Sequence, residues 1–209
     1  MAVHFHARQH TGIHLPARLK TPAADHQDGT TAVTTTGSVA AARSLAVLRI
    51  ATGFIFLWAF LDKTFGWHYA TASGKGWIDG GSPTKGFLSG VSAGPLQSFF
   101  HDIAGKGWTD WLFMLGLLGL GVALMSGIAL RITALAGTVL MAMMWAAEWP
   151  PAQHLTTGEP SMSSNPFMDY HLLYALAMIT FALTAAGTTW GLGRLWNRIP
   201  LVTHNPWLK

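Results

Sequence analysis

The sequence predicts an all-α integral membrane protein, a four-transmembrane-helix bundle with a long structured outer loop between helices 1 and 2. Three observations predict it. Four apolar stretches approach the length needed to cross a bilayer. Charged residues make up 11% of the 209 positions, against about 25% in ordinary soluble domains. The basic residues also gather on one side of the apolar stretches, as in multi-pass membrane proteins.

The elements follow in order. Residues 1–42 read as a disordered cytoplasmic tail, because TTAVTTTGSVAAA is low in complexity and poor in large apolar residues. No compact apolar region precedes a cleavage-like site there, so no secretory signal is expected. His4, His6, His10 and His14 form a loose cluster in this tail. A solvated tail fixes no coordination geometry and is the favoured reading, with metal binding as the alternative.

Residues 43–198 form the expected membrane domain. Its first helix spans about 44–61 and carries Arg49 a turn or two inside its end. A long cationic side chain there is expected to snorkel to water; contact with a quinone head group or an anionic lipid is the sharper alternative. The loop from Thr64 to Asp110 is too long for a simple turn. GWIDGGSPTKGFLSG has the Gly, Ser and Pro punctuation of a structured loop, and PLQSFFHDIAG reads as a short amphipathic helix that caps the bundle. The second, third and fourth helices are predicted at about 111–130, 133–149 and 170–190. At about 1.5 Å per residue, such runs give roughly 25–32 Å, near the hydrocarbon thickness of about 30 Å. Gly119, Ala123 and Gly127, and Ala182 with Ala186, recur at the spacing of close helix seams. Met141, Met143 and Met144 read as adaptable packing. Residues 199–209 form a short cytoplasmic C-terminal tail.

The charge pattern sets the expected orientation. With the tail inside, the inner side holds nine Lys and Arg and two acids, while the outer side holds four bases and seven acids. The loop from Pro150 to Met168 has no Lys or Arg. Both termini are therefore expected in the cytoplasm of a bacterial plasma-membrane protein. The net charge of +4 follows from this topology, and no nucleic-acid partner is needed to explain it. Trp58, Trp67, Trp108, Trp111, Trp145 and Trp149 cluster at the outer boundary as an aromatic belt.

Composition also limits the chemistry. The chain has no cysteine, so CxxCH haem attachment and cysteine-ligated iron–sulfur clusters have no ligands in it. No histidine falls at mid-membrane depth, so a bis-histidine haem in the bundle is not expected. No haem or iron–sulfur cluster is assigned.

The candidate site lies at the outer helix ends. Asp62 and Lys63 close the first segment, Asp110 precedes the second, Glu148 ends the third, and Asp169 and His171 open the fourth. Asp110 and Asp169 have a capping explanation at helix N-termini. Asp62 and Glu148 sit at C-terminal ends, where the helix dipole disfavours a carboxylate, so each needs compensation from a base or a ligand. Glu148, His171 and Asp62 are therefore assigned as catalytic, and Lys63, Asp169, Trp58 and Trp145 as substrate-binding. Trp58, Trp145, Glu148 and His171 would line an apolar cleft with a polar mouth, with Glu148 or His171 relaying protons. Lys63, His171 and the N-terminus of the fourth helix would form a local anion site. Glu148, Asp169 and His171 lack a recognisable metal-ligand spacing, and no metal is assigned.

LRIATGFIFLWAFLDKTFGW, GGSPTKGFLSG, MWAAEWPPAQH and NPFMDYHLLYAL resemble the DoxX/DoxD-like membrane protein family in its actinobacterial form, over about 43–208. The resemblance implies four membrane helices. It also implies a place in quinone-linked oxidation of a sulfur compound such as thiosulfate, as in the DoxD-type subunit of thiosulfate:quinone oxidoreductase. That enzyme joins two thiosulfates into tetrathionate. The implied cofactor is membrane quinone as an exchangeable acceptor. The implied partners are the lipid bilayer and a second oxidoreductase subunit, with a homo-oligomer also compatible. The resemblance transfers no catalytic residue. The alternative is a non-catalytic membrane scaffold that recruits a redox partner protein through its outer loop.

Overall fold

The computed structural model describes the backbone of residues 28–209 and the side chains from Ser38 onward. The described residues are helical and contain no strand, only an isolated bridge between His154 and Pro160. Four helices form the body: α1 (Asp28–Phe65), α4 (Gly107–Ser126), α5 (Leu130–Glu148) and α6 (Tyr170–Leu183). Between α1 and α4 lie two short helices, α2 (Lys85–Ser89) and α3 (Gln97–Ile103). After α6 come α7 (Gly193–Trp196) and α8 (Pro200–His204).

Among the described residues, three helices are long and apolar enough to cross a membrane: Ser38–Phe65, Gly107–Ser126 and Leu130–Glu148. The α1 helix starts at Asp28, well before the expected residue 44, so it takes in positions read from sequence as tail. The four tail histidines fall outside the described residues. Within α1, the hydroxyls of Thr52 and Thr64 donate back to the carbonyls of Leu48 and Phe60, at 2.8 and 2.7 Å. That pairing lets polar side chains sit in an apolar helix.

The second expected span, 111–130, is shifted: the helix has the same 20 residues in length but starts and ends four positions earlier, at Gly107 and Ser126. Gly127 adopts φ 73° and its N–H closes on Ala123 O at 2.8 Å, ending α4 at Ser126. Ala129 is also left-handed, at φ 49°, and α5 starts directly after it. The two helices thus form a tight antiparallel hairpin.

The fourth expected span needs a larger correction. The α6 helix has 14 residues and stops at Leu183, not Trp190. At about 1.5 Å per residue that is roughly 21 Å, short of a bilayer core of about 30 Å. Ala185 turns left-handed at φ 48°, and the chain bends so that Gly187 backs onto Gly127. A Cβ at Gly187 would collide with the Gly127 carbonyl oxygen. AAGTTWG holds no charged residue and so reads on as a span, but the contact needs a bend rather than another helical turn.

Close contacts define the bundle. A Cβ on Gly53 would meet Met125 N at 2.7 Å, and one on Gly121 would meet Leu57 N at 2.7 Å. These contacts run α1 antiparallel to α4. Gly137 leaves room for Met178 of α6 and Leu120 of α4. The seam is therefore Gly53, Gly121 and Gly137. Gly119, expected in it, has nothing within 4 Å of its Cβ position. Phe56, Met114, Leu117, Leu124, Met141 and Phe181 fill the centre. Leu112, Leu135 and Leu183 point outward and are largely exposed, as apolar side chains facing lipid would be.

Residues 66–106 are structured. Leu88, Val91 and Phe100 bury against Ala147 as a second small core. The expected amphipathic helix is α3, with Phe100 inward. Asp110, at the start of α4, anchors this segment. One of its carboxylate oxygens accepts from Ser82 Oγ (2.9 Å), Thr84 N (3.1 Å) and Thr84 Oγ1 (2.6 Å). Its role is to tie down the loop, and no bond to its own helix N-terminus is made.

Candidate functional site

Antiparallel packing brings the end of α1, the start of α4, the end of α5 and the start of α6 to one level, here termed the carboxylate end. The opposite level holds Arg49. Each polar group expected at a site can be placed against this frame.

Glu148 is the last residue of α5 and Asp169 is the N-cap of α6. The backbone between them doubles back, because Trp149 takes φ 43° and two prolines follow. The ends of consecutive antiparallel helices therefore face each other. Asp169 Oδ1 accepts from Leu172 N at 3.1 Å and caps the helix, while Oδ2 lies 2.8 Å from His171 Nδ1. Glu148 Oε1 accepts from the Tyr170 hydroxyl at 2.6 Å, and Oε2 lies 3.9 Å from the same His171 Nδ1. Tyr170 and His171 also sit ring against ring, with centroids 4.0 Å apart. The His171 side chain is 1% exposed, Asp169 15% and Glu148 35%, so the cluster grades from the bundle interior to an open wall.

That wall belongs to a cavity of about 660 Å³. Glu148, Asp169 and Tyr170 form one side, and Phe87 with the Ser161–Asn165 turn forms much of the other. A second cavity of about 350 Å³ lies behind it and shares Phe87 and Ala147. Its lining is almost wholly apolar, with Phe99, Trp108, Leu112 and Met143, and Lys63 reaches into it. Lys63 makes no hydrogen bond or ion pair of its own among the described residues; the neighbouring Asp62 carboxylate acts on it only through space.

Three of the residues read from sequence as site groups, Glu148, Asp169 and His171, meet. Lys63 stands at the neighbouring cleft. Asp62 does not join them. It is 2% exposed, and its carboxylate accepts from Tyr69 N (3.2 Å) and Ala70 N (3.0 Å). Those backbone bonds give Asp62 the compensation its helix end requires, and they make it a clasp for the turn after α1. Trp58 packs against Trp67 and Tyr69, at centroid distances of 5.4 and 5.1 Å. Trp145 donates to Phe167 O at 3.0 Å and packs on Trp149. Neither indole lines the two cavities described. Both support turns, where their N–H or ring edge has a partner.

Arg49 also departs from its expected position. It is fully buried and does not reach toward water. Its guanidinium donates to the carbonyls of Leu124, Met125 (3.0 Å), Thr189 (3.4 Å) and Trp190 (3.0 Å). These are the C-terminal carbonyls of α4 and the bend after α6, where a cation is electrostatically favoured.

Sequence reasoning missed Tyr170, Phe87 and the Ser161–Asn165 turn. Tyr170 was findable: once α5 and α6 are placed as antiparallel neighbours, residues 148 and 170 must face each other. No local pattern marked Phe87.

No protein-family model matches this chain, and no curated protein or solved structure matches it.

Proposed function

We propose that this chain is a multi-pass subunit of a quinone-linked oxidoreductase in a bacterial plasma membrane, as its likeness to the DoxX/DoxD-like family implies. One observation supports this reading above the others. An apolar cleft carrying a single unpaired cation stands back to back with a polar cavity walled by two carboxylates and a phenol, with a buried imidazole behind the carboxylates. In this reading α6 and the bend after it act as the fourth crossing, with both termini cytoplasmic.

The cleft suits a quinone. Phe99, Trp108, Leu112 and Met143 offer it apolar contact, and the Lys63 ammonium is placed to donate to a ring oxygen. The polar cavity takes the small reductant. Two thiosulfates lose two electrons as a new S–S bond joins them into tetrathionate. The quinone gains those two electrons and two protons. Glu148, hydrogen-bonded to Tyr170 and facing His171, is the group placed to move protons at the cavity wall.

The test mixes purified protein with thiosulfate and a short-chain quinone and follows quinone reduction and tetrathionate together. Coupled turnover supports the reading, and a folded sample without turnover overturns it. A second reading, a scaffold for a redox partner protein, is favoured by Met162 and Phe167, exposed at 89% and 65% on the 150–169 loop. Copurification of a stoichiometric partner by an inactive chain would support it.

A further inference from the structure

We infer that Glu148, Asp169 and His171 form a binding site for a divalent first-row transition ion. This goes beyond the quinone reading and does not rest on it. One atom from each residue lies within 4.8 Å of the others. Donors around a single ion at about 2.1 Å stand roughly 3.0 to 4.2 Å apart, so small rotations of Glu148 and Asp169 would close the set.

Three features make this a built site. Each carboxylate is held by one oxygen and presents the other inward: Tyr170 holds Glu148 Oε1 and Leu172 N holds Asp169 Oδ1. Such outer contacts are what orient metal ligands. Second, the His171 side chain is 1% exposed and its Nδ1 faces both carboxylates, 2.8 Å from Asp169 Oδ2 and 3.9 Å from Glu148 Oε2. Third, the charges do not balance. Two carboxylates converge on one imidazole, and the only ion pairs found among the described residues are those of His171 itself. No Lys or Arg lies between Pro150 and Met168 to supply another. A dication restores balance, and the cavity beside Glu148 leaves its remaining positions open to water or a small anion. One imidazole nitrogen with two carboxylate oxygens suits Zn²⁺, Mn²⁺ or Fe²⁺ better than Mg²⁺ or Ca²⁺.

The test uses the full chain with His4, His6, His10 and His14 replaced by Ala, which removes the tail as a competing chelator. The protein is stripped with chelator and dialysed against Zn²⁺ and, separately, Co²⁺, whose visible bands report coordination. One ion per chain is expected. Glu148→Gln and Asp169→Asn should each weaken binding at least about tenfold, while Glu159→Gln, an exposed acid on the same loop, should not. Glu148→Gln changes a partly exposed side chain, so an unchanged thermal midpoint shows that it still folds. Absence of stoichiometric binding, or equal affinity in Glu148→Gln, overturns the site.

Discussion

The two ends of the bundle handle buried charge in opposite ways. At one end, Arg49 directs both Nη groups to backbone carbonyls from two segments and has no acidic partner among the described residues. At the other, Glu148, Asp169, Tyr170 and His171 satisfy one another mainly through side chains, beside an open cavity of about 660 Å³. Backbone acceptors cannot move without the fold, so a charge bound to them is architecture. Side chains bound to side chains can exchange partners, and a cavity gives them something to exchange with. Asp62 and Asp169 repeat the contrast at one level, since Asp62 accepts only from backbone N–H groups.

The sharpest way to break this comparison is Arg49→Ala. It strands four carbonyls and opens a void, which should cost about 3 kcal/mol or more. Thermal unfolding in detergent checks it, and a midpoint equal to wild type would remove the clasp from the account. Gly187→Ala attacks the same joint from outside. Overpacking against the Gly127 carbonyl should cost about 1–3 kcal/mol, read in the same assay. Asp62→Asn leaves one oxygen for two backbone donors and should cost about 1–2 kcal/mol without changing affinity in the polar cavity. Gly119→Ala should be neutral or stabilising by a few tenths, because its Cβ position is open and alanine favours helix.

Much of this contrast was legible in the sequence, and the limits are instructive. Hydropathy located α4 and α5 to within a few residues because lipid-facing runs must be apolar whatever they touch. It overran α6, because AAGTTWG carries no charge to stop an apolar reading, yet the chain bends there to meet Gly127. The level shared by Glu148, Asp169 and His171 followed from topology alone. Which acids meet did not, because Asp62 and Glu148 look alike at two helix C-termini. Only the fold shows that backbone N–H groups reach one and a histidine faces the other. Arg49 misled for a related reason. Snorkelling is the expectation for a lone helix, and the bend that brings Thr189 and Trp190 to it is a long-range contact.

The central claim is that the carboxylate end works while the arginine end holds. Thiosulfate-dependent quinone reduction, measured on wild type and Glu148→Gln side by side with their thermal midpoints, tests it most directly. The account predicts coupled turnover in wild type. In the variant it predicts a rate lower by about 100-fold, the scale of a lost proton relay, at an unchanged midpoint. Equal rates, or no coupled turnover from a folded wild-type sample, would contradict it.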